Sequence, residues 1–315
     1  MKFARAFSPE LNESVTPYQA RELYTDEDSP FFEQKLRFLC EDKDCRAKLT
    51  PVGIYMTRKS KRALHFREDE PHSLRCEYCD DKHGGKRTPV PGQQEDDFKL
   101  TDFPTELLLD PPKRRPGSGG GTATGGDGGD GSRTKSTGGI PGSDAPRKTS
   151  SKTRYLDQVV DCFLYGDDSA KNNKFTIGDK TKPFSKFFKS VKFLTDGQGY
   201  IYHGEVDSLK PYSNAESLGI KFTEKHWNSN KKPLTVWVYI SKETIDKSRR
   251  KKFFRAEVQE LEKAINNGEK VRCFFVGTNP HIQSNPSKFN DGTYETVNDE
   301  LQSIDHISFV FEKDD

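Results

Sequence analysis

Cys40 and Cys45 stand four residues apart, Cys76 and Cys79 two residues apart, in a polar stretch with few apolar residues to build a core. Two short-range thiol pairs can close a tetrahedron around one ion, which would hold such a stretch folded. The 30 residues between the pairs add His65 and His72. Sulfur and imidazole donors suit Zn²⁺, with Zn–S bonds of about 2.3 Å. The candidate ligands are therefore Cys40, Cys45, His72, Cys76 and Cys79. A structural site needs only four, so the second pair is either Cys76-Glu-Tyr-Cys79, a regular knuckle, or His72-Ser-Leu-Arg-Cys76. His65 reads as a buried structural histidine. A redox role for Cys76 and Cys79 would need a helix start inside a βαβ unit, and the flanking sequence offers none.

Only 31% of the 315 residues are hydrophobic and 32% are charged, which favours small domains over one large core. Charge is spread unevenly. Residues 1–110 hold 18 Lys/Arg against 22 Asp/Glu, residues 111–150 hold 7 against 3, and residues 151–315 hold 26 against 24. Nucleic-acid binding must then rest on local basic patches, because affinity comes from phosphates neutralised at the contact surface. No leader-like apolar run opens the chain, and no stretch approaches the roughly 20 apolar residues of a membrane span. The expectation is a cytoplasmic protein with no membrane association and reduced thiols. Cys162 and Cys273 have no local partners, and Cys273 reads as a core residue.

Three segments are expected. Residues 1–110 form the metal-binding module. It includes a short helix after Thr16-Pro17, with Thr as N-cap and Pro at the first position. Its last stretch, 81–110, is polar and acidic. Residues 111–153 form a flexible linker, since nine of the fifteen residues 117–131 are Gly. Residues 154–315 form a β-rich domain with strands at 188–194, 200–206, 219–223, 234–240, 271–277 and 306–311. Phe254, Val258, Leu261 and Ile265 make one apolar helical stripe, stopped by Asn267-Gly268. The order of three strands, a helix and two strands is that of a small barrel. The fold class is mainly β with minor α: a zinc-ribbon-like module, a linker and an oligonucleotide-binding-like β-barrel domain.

Two resemblances extend this reading. Phe38-Leu-Cys40, Cys45-Arg-Ala-Lys-Leu, Leu64-His65-Phe66-Arg67, His72 and Cys76 together resemble the N-terminal zinc-ribbon-like segment of CoiA-like competence and DNA-processing proteins. The match covers about 45 of the 315 residues. It departs from that family in the four-residue spacing of the first pair and in Arg67, where a second His is usual. The family's nuclease domain is not visible downstream. The C-terminal domain looks like an oligonucleotide-binding barrel, a fold that takes single strands by stacking bases on aromatics along a basic groove.

These resemblances imply a non-catalytic nucleic-acid binder, its partner single-stranded DNA, acting in DNA processing or phage defence. Trp237 and Tyr239 are the expected stacking residues. Lys189, Lys192, Arg249, Arg250, Lys251 and Lys252 are the expected phosphate contacts. Two alternatives stay open. One is a metal-dependent nuclease subunit built on His203, Glu205 and Asp207 with Lys221. The other is an adaptor whose barrel binds a protein partner.

Overall fold

Strands dominate the computed structural model, which describes residues 2–58, 63–76, 103–109, 152–210, 217–287 and 292–312. Among these residues 18 strands accompany four α-helices. The mainly β class with minor α therefore holds.

The N-terminal module is one small antiparallel sheet. Its strands are β1 (Lys2–Phe3), β2 (Ala6–Ser8), β3 (Glu13–Val15), β4 (Phe38–Leu39), β5 (Lys48–Val52) and β6 (His65–Glu68), in the order β1-β6-β5-β4-β2-β3. Its core comprises nine buried residues, with the rings of Phe38 and Phe66 4.6 Å apart. Helix α1 (Pro17–Thr25) starts as its sequence predicts. The Thr16 hydroxyl accepts from Gln19 N at 3.2 Å, the Gln19 side chain accepts from Thr16 N at 2.8 Å, and Pro17 occupies the first turn.

The β-rich unit begins earlier than expected. Phe103–Leu109 does not belong to the first module. Strand β7 (Glu106–Leu107) pairs in parallel with both β8 (Lys152–Thr153) and β9 (Lys174–Ile177), and β10 (Lys180–Pro183) completes a four-stranded sheet ordered β10-β9-β7-β8. Leu108 N donates to Thr153 O at 2.7 Å. The Gly-rich segment therefore leaves and re-enters the same sheet. It does not join the two units as the expected linker would; that connection falls to residues 77–102.

The largest sheet holds β11 (Phe188–Ser190), β12 (Ile201–Lys210), β13 (Ser217–Trp227), β14 (Pro233–Ser241), β15 (Lys270–Val276), β16 (His281–Pro286), β17 (Thr293–Leu301) and β18 (Ile307–Glu312). Its path is β16-β17-β14-β13-β12-β15-β18, with β11 beside β12. Within it, β17, β14, β13, β12 and β15 lie side by side in that order, with β14 and β17 parallel. Two expectations change. The strand beside β14 is β17, which the sequence reading did not include, whereas the last expected strand, 306–311, forms β18 on the outer edge of β15. The sheet also stays open: among the described residues no ladder joins its β16 end to its β18 end, so no closed barrel forms.

The sequence hides β17 because polar residues interrupt its buried Val297 and Leu301. Thr296, Asn298 and Asp299 are all buried. The Asp299 carboxylate accepts from Thr278 N, Thr278 Oγ1 and Asn279 N at 2.8–3.0 Å, which pins the turn after β15. Gly204 has a packing reason. A Cβ there would sit within 2.8 Å of Val191, Phe222 and Glu224 atoms, at the point where β12 passes from β11 to β13.

The helices are α2 (Leu156–Tyr165), α3 (Lys242–Lys247) and α4 (Lys251–Asn266). Helix α4 buries Phe254, Val258 and Leu261, as its stripe predicts, and ends before Gly268 at φ +75°. Cys162 and Cys273 are fully buried in the same core.

Helix α1 docks the module onto this unit. Tyr18 Oη donates to the wholly buried Asp161 at 2.7 Å, and Leu64 N donates to the same oxygen at 3.2 Å. Arg21, 4% exposed, donates to the carbonyls of Gly53, Ile54 and Met56 and pairs with Glu257. Tyr18→Phe should lower unfolding stability by about 1–3 kcal/mol, because a buried carboxylate loses a donor. Urea midpoints of the two proteins check this, and an unchanged midpoint would show that the docking contact carries no stability.

Candidate metal centre and aromatic face

The first Cys pair converges through a tight turn. Asp42 O accepts from both Cys45 N and Arg46 N, at 3.2 and 3.1 Å, and the Asp42 side chain accepts from Asp44 N. Arg46 takes the left-handed region at φ +49°. Its guanidinium then reaches the Cys40 carbonyl at 3.1 Å and lies over the Phe7 ring at 3.6 Å. This turn is how a four-residue spacing brings two thiols together. The second pair closes differently, with Cys76 N donating to Ser73 O at 2.9 Å, which folds His72 back beside Cys76.

The ligand atoms of Cys40, Cys45, His72 and Cys76 all lie within 4.8 Å of one another. Cys40 Sγ and Cys76 Sγ are 3.7 Å apart, and His72 Nδ1 is 3.3 Å from the sulfurs of both Cys45 and Cys76. Metal–sulfur bonds of about 2.3 Å in a tetrahedron put neighbouring sulfurs about 3.8 Å apart. The set thus fits one four-coordinate ion, with His72–Cys76 supplying the second pair. Cys79 lies outside the described residues. His65 sits apart, 3% exposed, with Nδ1 2.8 Å from Ala63 O, and is structural as expected.

The thiols are unequal. Burial pushes Cys40 up. Burial also opposes ionisation of Cys45, but amide donors from Ser73 and Ala47 outweigh it and the thiol falls below its usual range. A bound cation would favour the thiolate at all three positions.

The expected basic cluster is engaged in ion pairs, with Arg249 and Lys252 still exposed. Arg249 pairs with Asp28 at 3.0 Å, Lys251 with Glu27 at 3.5 Å and Lys252 with Glu33 at 2.8 Å, all acids of the N-terminal module. Arg250 pairs with Asp305 at 2.9 Å. Lys189 pairs with Asp196 at 2.6 Å, and Lys192 is exposed. The nuclease residues do not assemble. Among the described residues, His203, Glu205 and Asp207 form no group with metal-ligating spacing. The register shift between Val206 and Ser208 breaks the alternation that would align them, and Asp207 binds Lys221 at 2.7 Å. His203 lies against Phe163 and Phe274. Burial and then the charge of Arg272 pull its pKa down to about 4.

Trp237 and Tyr239 share the outer face of β14, since Val236, Val238 and Ile240 between and beyond them are buried. Their rings are nearly parallel, 14° apart with centroids at 5.9 Å. Lys210 Nζ lies over the Trp237 ring at 4.4 Å. On β13, Lys221 stands opposite Trp237, Lys225 opposite Thr235, and Gly219 opposite Tyr239. A Cβ at Gly219 would press on both rings, at 3.1–3.4 Å. On β17, Thr296 and Asn298 continue the row, bonded to Asn285 and Gln283 of β16. Sequence reasoning missed Lys210 and the amide row and set Lys221 among the nuclease residues, because only the fold brings them beside Trp237. No protein-family model matches the chain, and no curated protein matches it significantly.

The cluster should bind about one metal ion per chain, read by elemental analysis, and Cys76→Ser should abolish stoichiometric binding. Chelation should unfold the N-terminal module while leaving the β-rich unit, read as hydrogen exchange confined to residues 2–76. His203 gives a pH prediction. Its folded pKa lies below the unfolded one, so the unfolded state binds more protons and stability falls as pH drops from about 6.5 towards 4. His203→Phe should remove on the order of 2 kcal/mol of that acid sensitivity. Unfolding curves of both proteins at pH 7 and 4.5 check it.

Proposed function

We propose that this protein is a non-catalytic, zinc-stapled binder of single-stranded nucleic acid, and that the outer face of β13 and β14 takes the strand. The zinc assignment rests on the donor set. Three thiols and one imidazole at tetrahedral spacing suit Zn²⁺, and a closed four-ligand site leaves no position for substrate. The ion's part is then to hold the N-terminal module folded.

One observation carries the nucleic-acid reading: two parallel aromatic rings on a sheet face flanked by Lys210 and Lys225, with Lys221 and its partner Asp207 beside them. Base–aromatic stacking needs only a π-face and tolerates any sequence, while the lysines supply phosphate charge. The strand order β17-β14-β13-β12-β15 supports the reading, because barrels of this order use the equivalent face. Lys210 covers Trp237 here. A base arriving on the ring would displace its ammonium toward the adjoining phosphate. The paired arginines and lysines of 249–252 are not part of this face.

Trp237→Ala should weaken binding of a labelled single-stranded oligonucleotide by about 1–3 kcal/mol, with duplex binding weak in both proteins. Fluorescence anisotropy at two salt concentrations reads this. A wild-type protein that fails to bind at low salt would end the reading.

A further inference from the structure

Residues 171–192 hold seven lysines and a single acid, Asp179. Three of the lysines meet at one place. Lys180 and Lys182 alternate along β10, opposite the buried Ile177 and Phe175, so both project from the covered face of an edge strand. There they reach Tyr200, which is buried just before β12. Lys189 comes from β11. The ammonium nitrogens of Lys180, Lys182 and Lys189 lie 4.9, 4.5 and 4.2 Å from the centre of the Tyr200 ring.

Their charge is not balanced. Lys182 donates to the Tyr200 hydroxyl and Lys180 to the Gln198 carbonyl, both neutral acceptors. Lys189 alone has a carboxylate, Asp196. Among the described residues, three ammonium groups thus share one ring and one counter-charge. Half-buried ammonium groups are less hydrated than those on an open surface, which strengthens their pull on an anion. The turn beside them is Asp196-Gly-Gln-Gly199, with Gly197 at φ +127° and Gly199 at φ +72°. A Cβ on either glycine would point toward Lys180, so the turn leaves its approach clear. One effect of the clustering is visible on the phenol. The hydrogen bond from Lys182, then the charges of Lys182, Lys189 and Lys180, pull Tyr200 below its usual range.

We propose that Lys180, Lys182 and Lys189, gathered around Tyr200 beside the Gly197–Gly199 turn, form a binding site for a phosphate group. The site lies at the opposite end of β12 from Lys210, a ten-residue strand spanning about 33 Å at roughly 3.3 Å per residue. It is therefore separate from the aromatic face. The phosphate could come from a nucleic-acid backbone or from a small phosphorylated molecule. In the first form the inference rests on the function proposed above; in the second it stands without it.

The test uses the full chain with two probes: a labelled single-stranded oligonucleotide read by anisotropy, and inorganic pyrophosphate read by ³¹P NMR. In K180Q/K182Q, oligonucleotide affinity at low salt should fall roughly tenfold. The slope of log K against log salt should drop by about 1.4, or about 0.7 per lost contact. K180R/K182R keeps charge and stem and should bind as wild type. Asp196→Asn removes the one counter-charge from an exposed position and should tighten binding about threefold. Its gain cannot come from misfolding.

Oligonucleotide binding insensitive to K180Q/K182Q and D196N, with no lysine-dependent pyrophosphate signal, would overturn the site and leave the aromatic face untouched. Pyrophosphate binding lost in K180Q/K182Q, in a protein that ignores oligonucleotides, would support a small-molecule phosphate site while ending the nucleic-acid reading.

Discussion

Gly204 has no side chain, and the whole β-rich unit is arranged around that vacancy. Strand β12 lies between β11 and β15 along its first half and beside β13 along its second. The change of neighbour brings Val191, Phe222 and Glu224 against one backbone position. Any larger residue would separate the two halves. Because β12 is continuous, it also fixes the distance between its ends. Tyr200 with its lysines precedes it, and Lys210 over Trp237 closes it. Two groups of cations that the sequence lists far apart thus become two ends of one rigid element.

The N-terminal module depends on a different economy. Nine buried residues are a slender core for a six-stranded sheet, and small cores are commonly completed by a metal. The four-ligand cluster includes the connection between β4 and β5, the central strands of that sheet. Helix α1 joins the module to the larger core through Tyr18, Arg21 and Asp161. The acids Glu27, Asp28 and Glu33 then occupy the basic start of α4. This gives a physical reason for cations at a helix N-terminus, where the helix dipole disfavours them. Carboxylates from another part of the chain supply the missing opposite charge.

The legible parts were those in which local chemistry decides structure. Thr16-Pro17, the apolar stripe of α4 and the alternation in β14 follow from short-range rules, as does each close pair of metal-ligand candidates, whereas the choice of His72 with Cys76 came from the fold. What stayed hidden depended on distant partners. Strand β17 buries Thr296 and Asn298 on its outer face and Asp299 between Val297 and Leu301 on its inner one, and these buried polar residues blur the alternation that would mark a strand. The basic cluster at 249–252 carries the charge of a phosphate site, but the counter-ions of Arg249, Lys251 and Lys252 come from more than 200 residues earlier in the chain, and that of Arg250 from 55 residues later. Lys180, Lys182 and Lys189 come together only where the fold places Tyr200 among them.

The pairing of β7 with β8 has a consequence for how this chain can vary. Residues 110–151 begin and end on adjacent parallel strands, so their end-to-end distance is fixed by the sheet and not by their own length. Closing such a segment costs only about 0.6 kcal/mol more for each doubling of its length. Insertions, deletions and repeat slippage in the Gly-rich tract therefore fall on a stretch where the fold exerts almost no selection on length.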